Sequence, residues 1–190
     1  MANEPNTDMD NKQITIAIDL GSTSTRVARE RAGDRPEVLH VGARSACIPS
    51  TAVLKNDGSL LFGDEADDVA LNDPRHYLTG FLHLLGTRRP VLGRYAAREL
   101  VAAFLAWLRD RVMACPDMQG ESIGKVVLTC PVCFSQEQQD ELLEASAKAN
   151  LPEVVIVFAP EAVAAAYCAR FPDKAFTQCA LVVNWGGGAA

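Results

Sequence analysis

The stretch QITIAIDLGSTSTRVARE at residues 13–30 decides the fold of this chain. In its first half, apolar side chains alternate with other residues, which predicts a β-strand with one buried face. Gly21 and the small hydroxyl residues after it predict a tight turn, so that residues 25–30 return as the second strand of a hairpin. The apolar positions of the first strand are Ile14, Ile16, Ile18 and Leu20.

The turn of this hairpin is suited to hold a phosphate group. Backbone N–H groups at Gly21, Ser22 and Thr23, together with two hydroxyls, are donors for phosphate oxygens. Asp19, at the end of the strand, takes a position suited to hold Mg²⁺ through a water molecule. A plain hairpin turn with an incidental aspartate explains the same residues equally well. The stretch has neither the lysine of a Walker A loop nor the glycine spacing of a dinucleotide-binding loop.

A second junction between a strand and glycines occurs in LVVNWGGGAA at residues 181–190. Its three consecutive glycines, Gly186, Gly187 and Gly188, allow a backbone to come close to a bound group. Two glycine loops that each follow a buried strand can face one another and clamp a polyphosphate from both sides. The sequence therefore predicts a pair of phosphate-binding loops.

The segments between these loops alternate strand and helix signals, as is typical of a layered α/β fold. An Asn56-Asp57-Gly58 turn joins two short strands ahead of a helix that begins near Asp64. A capping box is predicted from Ser135 and Gln138. Further strands are predicted at 36–41, 125–130, 153–158 and 179–184, and further helices at 94–114, 135–149 and 160–171.

Composition and charge narrow the classes of function. The 190 residues are 48% hydrophobic and carry a formal net charge of −6, which argues against a surface for nucleic acid or anionic membrane. No apolar run approaches the ~20 residues that span a bilayer. Residues 1–12 are polar and acidic, unlike a secretory signal, and are predicted to form a disordered tail.

The six cysteines lie mostly in apolar segments, which indicates buried, reduced thiols in a cytoplasmic protein. Cys130 and Cys133 have the spacing of a redox or metal half-site. A redox pair needs its first cysteine at an exposed helix start, whereas Cys130 ends a predicted buried strand. A zinc site needs a second pair of ligands, and the three histidines are scattered. A structural role is therefore favoured over redox or metal chemistry.

Seven segments resemble, in order and spacing, the N-terminal half of the Hsp70-type ATPase domain in the actin/hexokinase/Hsp70 superfamily. The resemblance covers about residues 13–190. The shared order of all seven segments is far more specific evidence for this family than any one segment alone. The segments are IAIDLGSTST, IPSTAVL, LLFGDEA, NDPRHYLTGFLHLLG, VVLTCPVCFSQEQQDELLEASAKANL, VFAPEAVAAAYC and LVVNWGGGAA.

The resemblance implies an α/β fold, namely a ribonuclease-H-like actin/Hsp70 ATPase lobe with a mixed sheet and flanking helices. It implies a first lobe at residues 13–178, with a smaller α/β subdomain inserted at about 40–115. Residues 179–190 are then expected to be the first strand and phosphate loop of a second, truncated lobe. In such a protein ATP or ADP binds with Mg²⁺ between the two lobes.

Several positions depart from the family pattern. Asp19 and Ser22 match the acid and the hydroxyl of the first loop, but Asn184 stands where the second loop has its acid. The other departures are Leu82 and His83 in place of a lysine–arginine pair, Ala159 in place of a glutamate, and Ala189 in place of a hydroxyl residue. Because hydrolysis relies on positioned charge, we predict weak or no ATP hydrolysis, with Asp19 and a degenerate Asn184 as the catalytic residues.

The sequence thus predicts an Hsp70-family, chaperone-related protein that binds ATP in its complete form. A non-catalytic Hsp70-like interaction or regulatory module and an actin-like filament protein are the alternatives. The implied partners are client or co-chaperone proteins, with no nucleic acid and no membrane. The unpaired edge of the strand expected at 179–184 adds self-association as a further expectation.

Overall fold

A computed structural model describes residues 12–71, 74–174 and 180–183 of the chain. Lys12 already belongs to the first strand, and the remainder of the predicted N-terminal tail, residues 1–11, lies outside the described residues. None of the helices in the described ranges combines the length and the apolar character needed to cross a bilayer.

The described residues form most of the predicted strands and helices in order, and they also form short strands at 77–79, 90–92 and 95–96 that the sequence did not predict. The strands are β1 (Lys12–Leu20), β2 (Ser24–Glu30), β3 (Glu37–Val38), β4 (Ile48–Pro49), β5 (Thr51–Leu54), β6 (Leu60–Phe62), β7 (Tyr77–Thr79), β8 (Pro90–Leu92), β9 (Tyr95–Ala96), β10 (Glu121–Cys130) and β11 (Val154–Phe158). The α-helices are α1 (Asp64–Ala70), α2 (Ala97–Met113), α3 (Gln136–Lys148) and α4 (Ala159–Arg170).

The main sheet is mixed and has the strand order β11-β10-β1-β2-β3, with β4 paired to β2. The strand β1 runs parallel to β10 and antiparallel to β2, and β10 runs parallel to β11. This arrangement confirms the predicted α/β class with its mixed sheet and flanking helices. It also brings the carboxyl ends of β1, β10 and β11 to one edge of the sheet.

The β1–β2 hairpin closes through Gly21. Its N–H donates to the carbonyl oxygen of Ser24 at 3.1 Å, and a Cβ atom at Gly21 would lie only 2.5 Å from that oxygen. A side chain at this position would therefore open the turn. The hairpin that the alternating sequence predicts is confirmed, and its turn projects from the edge where the parallel strands end.

One hydrophobic core joins the sheet to the helices. The alternating apolar residues of β1 are at most 3% exposed, and they belong to the same cluster as the buried stripe of α2. Each fully buried leucine or phenylalanine stabilises the fold by about 1.5–3 kcal/mol. The fully buried residues of α2 are Ala97, Leu100, Val101, Phe104, Leu105 and Leu108.

A smaller set of strands lies between β4 and α2 in the chain. The strands β6, β5 and β7 form a three-stranded antiparallel sheet, and β8 pairs with β9. Phe62 connects this sheet to α2, because its ring packs edge-on against Phe104 and also contacts Trp107. The distances between the ring centroids are 5.6 Å and 5.9 Å. These strands fall within the predicted subdomain at about 40–115, whose boundaries stay a prediction.

Three predicted strands are present but differ in length or burial from the prediction. The strand expected at 36–41 shrinks to β3, and the one expected at 125–130 lengthens to β10, because parallel pairing with β1 continues back to Glu121. The strand β11 is half-buried rather than buried, since it forms an edge of the main sheet.

The strand expected at 179–184 is wrong where the structure describes it. Residues 180–183 have no strand pairing, and Leu181 and Val183 are 88% and 71% exposed. A strand needs a neighbour for its N–H and C=O groups, and no described residue supplies one here. Residues 179 and 184 lie outside the described ranges, so self-association through this segment stays a prediction.

Candidate functional site

The candidate site lies at the edge of the main sheet where the parallel strands end. In sheets of this kind, ligands bind outside the carboxyl ends of the strands. Asp19 is the penultimate residue of β1, and Thr129 is the penultimate residue of the neighbouring β10. The turn of the β1–β2 hairpin, with Ser22 and Thr23, continues from the same edge.

Asp19 is exposed, and Thr129 orients its carboxylate. The Thr129 hydroxyl donates to Asp19 Oδ1 at 2.9 Å and accepts from the Leu20 N–H at 3.2 Å. Within the described ranges no other side chain hydrogen-bonds to this carboxylate. Thr129 was not predicted as a site residue. The feature of the sequence that could indicate it is a hydroxyl residue near the end of the apolar strand KVVLTC.

The first loop offers free donors. The Thr23 carbonyl accepts from the Ser50 N–H at 2.9 Å, which ties the turn to the residue after β4. The N–H groups of Ser22 and Thr23 donate to no described residue, and the Thr23 side chain is exposed. The two free N–H groups and the two hydroxyls are suited to donate to phosphate oxygens. The adjacent carboxylate is suited to accept from water bound to Mg²⁺.

His83 reaches this loop from a distant part of the chain. It belongs to a 3₁₀ turn at Phe81–Leu84, and its Nε2 makes a short hydrogen bond with Ser22 Oγ. The imidazole also meets the ring of Phe134 edge-on, with centroids 6.4 Å apart. The side chain of His83 is therefore half-buried at the loop, a position that the sequence did not predict as part of the site.

Leu82 points away from the loop. It is 1% exposed and belongs to the hydrophobic core together with Phe81. The helix α3 holds the turn in this orientation, since Gln138 Nε2 donates to the Leu85 carbonyl at 3.0 Å and the Gly86 N–H donates to Glu141 Oε2 at 2.6 Å. Leu82 therefore offers no cation to a phosphate, whereas the family pattern has a lysine at this position.

The start of α4 offers no free carboxylate in place of the missing glutamate. Ala159 is the first residue of α4, and the side chain of Glu161 turns back to accept from the Phe158 N–H at 3.3 Å. Glu161 therefore caps the helix, as acidic side chains commonly do at this position. A carboxylate used in this way has one oxygen less for water or a metal.

The residues predicted for the second loop lie outside the described residues. They are Asn184, Gly186, Gly187 and Gly188, together with Ala189. Of the predicted site, the structure therefore brings together Asp19, Gly21, Ser22 and Thr23 only. The role of the second loop stays a prediction.

The two cysteines beside the site, Cys130 and Cys133, differ in their exposure to solvent. Cys130 is 1% exposed, and burial, with smaller contributions from Glu161 and Cys133, raises its pKa to about 11. Such a thiol is a poor nucleophile at neutral pH. Cys133 is exposed, and both are free thiols. Among the described residues, no three side chains of the metal-binding types come together.

Comparison with known proteins agrees with this geometry. The family model described as "Hsp70 protein" matches residues 89–190. The chain is 30% identical over 180 residues to the chaperone protein DnaK of Thermotoga neapolitana, covering 93% of this chain and 29% of the relative. It is 28% identical over 187 residues to DnaK of Methanothermobacter thermautotrophicus, covering 95% of this chain and 30% of the relative. The chain thus spans less than a third of the length of these relatives.

Proposed function

Because the chain belongs to the Hsp70 family, we propose that it binds the phosphates of a magnesium-bound adenine nucleotide and hydrolyses ATP weakly or not at all. The single observation that carries the proposal is the pairing of Asp19 with Thr129 beside the free N–H groups of Ser22 and Thr23. A plain hairpin turn would not need a carboxylate oriented from the neighbouring strand.

Each residue of the loop has a distinct part in this proposal. Asp19 would hold hydrated Mg²⁺, while Thr129 keeps one of its carboxylate oxygens in place. The Ser22 and Thr23 N–H groups and hydroxyls bind phosphate oxygens. When bound, Mg²⁺ neutralises phosphate charge and orients the phosphate chain. Gly186, Gly187 and Gly188 are proposed to close on the phosphates from the other side.

The proposal of weak hydrolysis rests on the groups that stabilise charge. Transfer of a phosphoryl group needs cations and oriented water at fixed positions. Leu82 lies in the core, and Glu161 is engaged as a helix cap. Asn184 can hydrogen-bond to a water molecule but cannot accept its proton. Removing a single preorganised group of this kind costs about 10²-fold or more in rate.

The cellular role follows the family at a coarser level. The relatives carry the name of a chaperone protein. We propose that this protein likewise acts with client or co-chaperone proteins in the cytoplasm and not with nucleic acid or membrane.

A non-catalytic interaction module is the second candidate, and the exposed face of α4 favours it. Val163 and Tyr167 on α4, and Phe171 directly after its end, are spaced four residues apart and are 52%, 37% and 43% exposed. An apolar stripe of this kind is typical of a surface that contacts another protein. This candidate predicts no binding of nucleotide at all.

Steady-state ATP hydrolysis tests the catalytic part of the proposal. We expect turnover by the wild-type chain to stay close to that of the Asp19→Ala variant, because the cationic group is missing from both. Turnover comparable to that of an ordinary Hsp70, and abolished by Asp19→Ala, would contradict the proposal.

A further inference from the structure

We propose that His83 is a phosphate-binding residue of this chain, which exchanges its contact with Ser22 for a hydrogen bond to a polyphosphate oxygen. This inference rests on the proposed function, since it assigns a new residue to the same site. The ligand chemistry is a diphosphate group, supplied either by a nucleotide or by free pyrophosphate.

The first support is the position of the imidazole. Its Nε2 meets Ser22 Oγ, in the loop whose free N–H groups are proposed to bind phosphate. Ser22 and His83 are 61 residues apart in the chain, so the contact is a product of the fold and not of local sequence. A phosphate that binds the Ser22 hydroxyl therefore arrives beside the imidazole.

The second support is that the imidazole is held in place before any ligand binds. Phe81 and Leu82, which directly precede His83 in the turn, are each 1% exposed, which anchors the backbone in the core. The contacts of α3 with Leu85 and Gly86 fix the end of the turn. The ring of Phe134 packs edge-on against His83 with an interplanar angle of 77°. A preorganised donor loses little entropy on binding.

The third support is chemical. An imidazole presents at least one N–H donor in either protonation state, and a serine hydroxyl can donate to it or accept from it. A phosphate oxygen accepts hydrogen bonds from both side chains at once. Leu82 has no polar atom and lies in the core, so His83 is the residue of this pair that can meet an anion.

The test combines titration calorimetry with NMR of the histidine side chains in the 190-residue chain. Mg-ADP and Mg-pyrophosphate are titrated separately into the wild type, His83→Ala, His83→Arg and the control His40→Ala, which removes an exposed imidazole far along the chain. Circular dichroism checks that each variant keeps its fold. Ser22→Ala is expected to shift the His83 ring resonances without any ligand.

We expect both ligands to shift the His83 ring resonances, and His83→Ala to weaken both about tenfold, as for the loss of one hydrogen bond to a charged group. His83→Arg is expected to retain binding, and His40→Ala to match the wild type. Unchanged affinity of His83→Ala, or ring resonances that do not move at saturation, would overturn the assignment.

The two ligands separate failure of this inference from failure of the proposed function. Binding of pyrophosphate but not of ADP, with the His83 effects intact, supports the assignment and contradicts the nucleotide proposal. Binding of ADP without any His83 effect supports the nucleotide proposal alone. If neither ligand binds, the His83 assignment and the nucleotide proposal are both overturned.

Discussion

Thr129 determines how the acid of the candidate site is presented. Its hydroxyl joins two neighbouring strands at their carboxyl ends, because it donates to Asp19 and accepts from the Leu20 N–H. Carboxylates that bind metals or their waters are commonly held by such a hydrogen bond, and losing it costs about 10–100-fold in affinity or activity. The geometry therefore makes Thr129 a positioning residue for Asp19.

We expect Thr129→Val, which preserves the shape of the side chain, to weaken binding of Mg-ADP about tenfold. Thr79→Val is the matched control, because Thr79 is an exposed threonine at the end of β7. Titration calorimetry measures both variants. If Thr129→Val bound as tightly as the control, Asp19 would need no partner on β10.

Gly63 is a residue where the backbone itself limits substitution. It precedes α1 with φ 63° and ψ −141°, a conformation that is nearly exclusive to glycine. A Cβ atom there would lie 3.0 Å from the Trp107 ring and 3.3 Å from Ile48. Both the backbone and the packing therefore oppose a side chain.

We expect Gly63→Ala to lower the free energy of unfolding by about 3 kcal/mol, since strain and packing add. Gly58→Ala is the control, with φ 83° and no heavy atom within 4 Å of the added Cβ, and should cost about 1 kcal/mol. Urea denaturation gives both values. Equal costs would mean that Trp107 and Ile48 yield freely to a methyl group.

At the scale of the elements, an ion cluster joins three strands at the opposite end of the main sheet. Arg29 on β2 contacts Glu121 on β10 at 3.3 Å and Glu37 on β3 at 3.0 Å, and Arg31 makes a close pair with Glu121. The side chains of Arg29 and Glu121 are 8% and 6% exposed. A buried charge is tolerated only with such partners.

Burial of Glu121 favours its protonated form, but hydrogen bonds and charge from Arg31 and Arg29 outweigh this effect. The pKa of Glu121 therefore lies below its ordinary value of 4.5. A lowered carboxyl pKa gives stability that is fully present above the ordinary value and is lost as pH falls through the folded value. The contribution of Glu121 thus persists at neutral pH and disappears in acid.

We expect Glu121→Gln to lower the free energy of unfolding by about 2 kcal/mol at pH 7. The difference from the wild type should narrow as pH falls from the ordinary pKa of 4.5 through the lower pKa of the folded protein, below which the wild-type carboxyl is also neutral. Urea denaturation across this pH range measures it. Glu153→Gln, in an exposed pair with Lys125, should have little effect at any pH. A difference for Glu121→Gln that stays constant into acid would contradict the assignment.

Elements encoded by local signals were predictable, and long-range contacts were not. The capping box is confirmed, since the Ser135 hydroxyl accepts from the Gln138 N–H at 3.3 Å and Gln138 Oε1 accepts from the Ser135 N–H at 3.0 Å. By contrast, Thr129 and Asp19 are 110 residues apart. The hydrophobic pattern of each strand does not show which other strand lies beside it. The hydrogen bond between His83 and Ser22 was unpredictable for the same reason.

For the whole molecule, the sequence predicted the α/β fold with its mixed sheet and its first hairpin. It overestimated the strand at 179–184, because a short apolar run forms a strand only where a neighbouring strand pairs with it. Asp19 and the hairpin turn could be placed from 18 residues of sequence at 13–30, since the turn is local. The buried orientation of Leu82 needed the structure, because the turn that carries it is fixed by α3.

We propose that the end of the main sheet that carries Asp19 binds a magnesium-bound adenine nucleotide in this Hsp70-family chain. Titration calorimetry with Mg-ADP on the wild type and on Asp19→Ala measures this binding. Asp19 is exposed, so its substitution leaves the core intact. We predict saturable binding in the micromolar range by the wild type and binding at least about tenfold weaker by Asp19→Ala. Absence of binding by the wild type, or equal affinities of the two proteins, would contradict the claim.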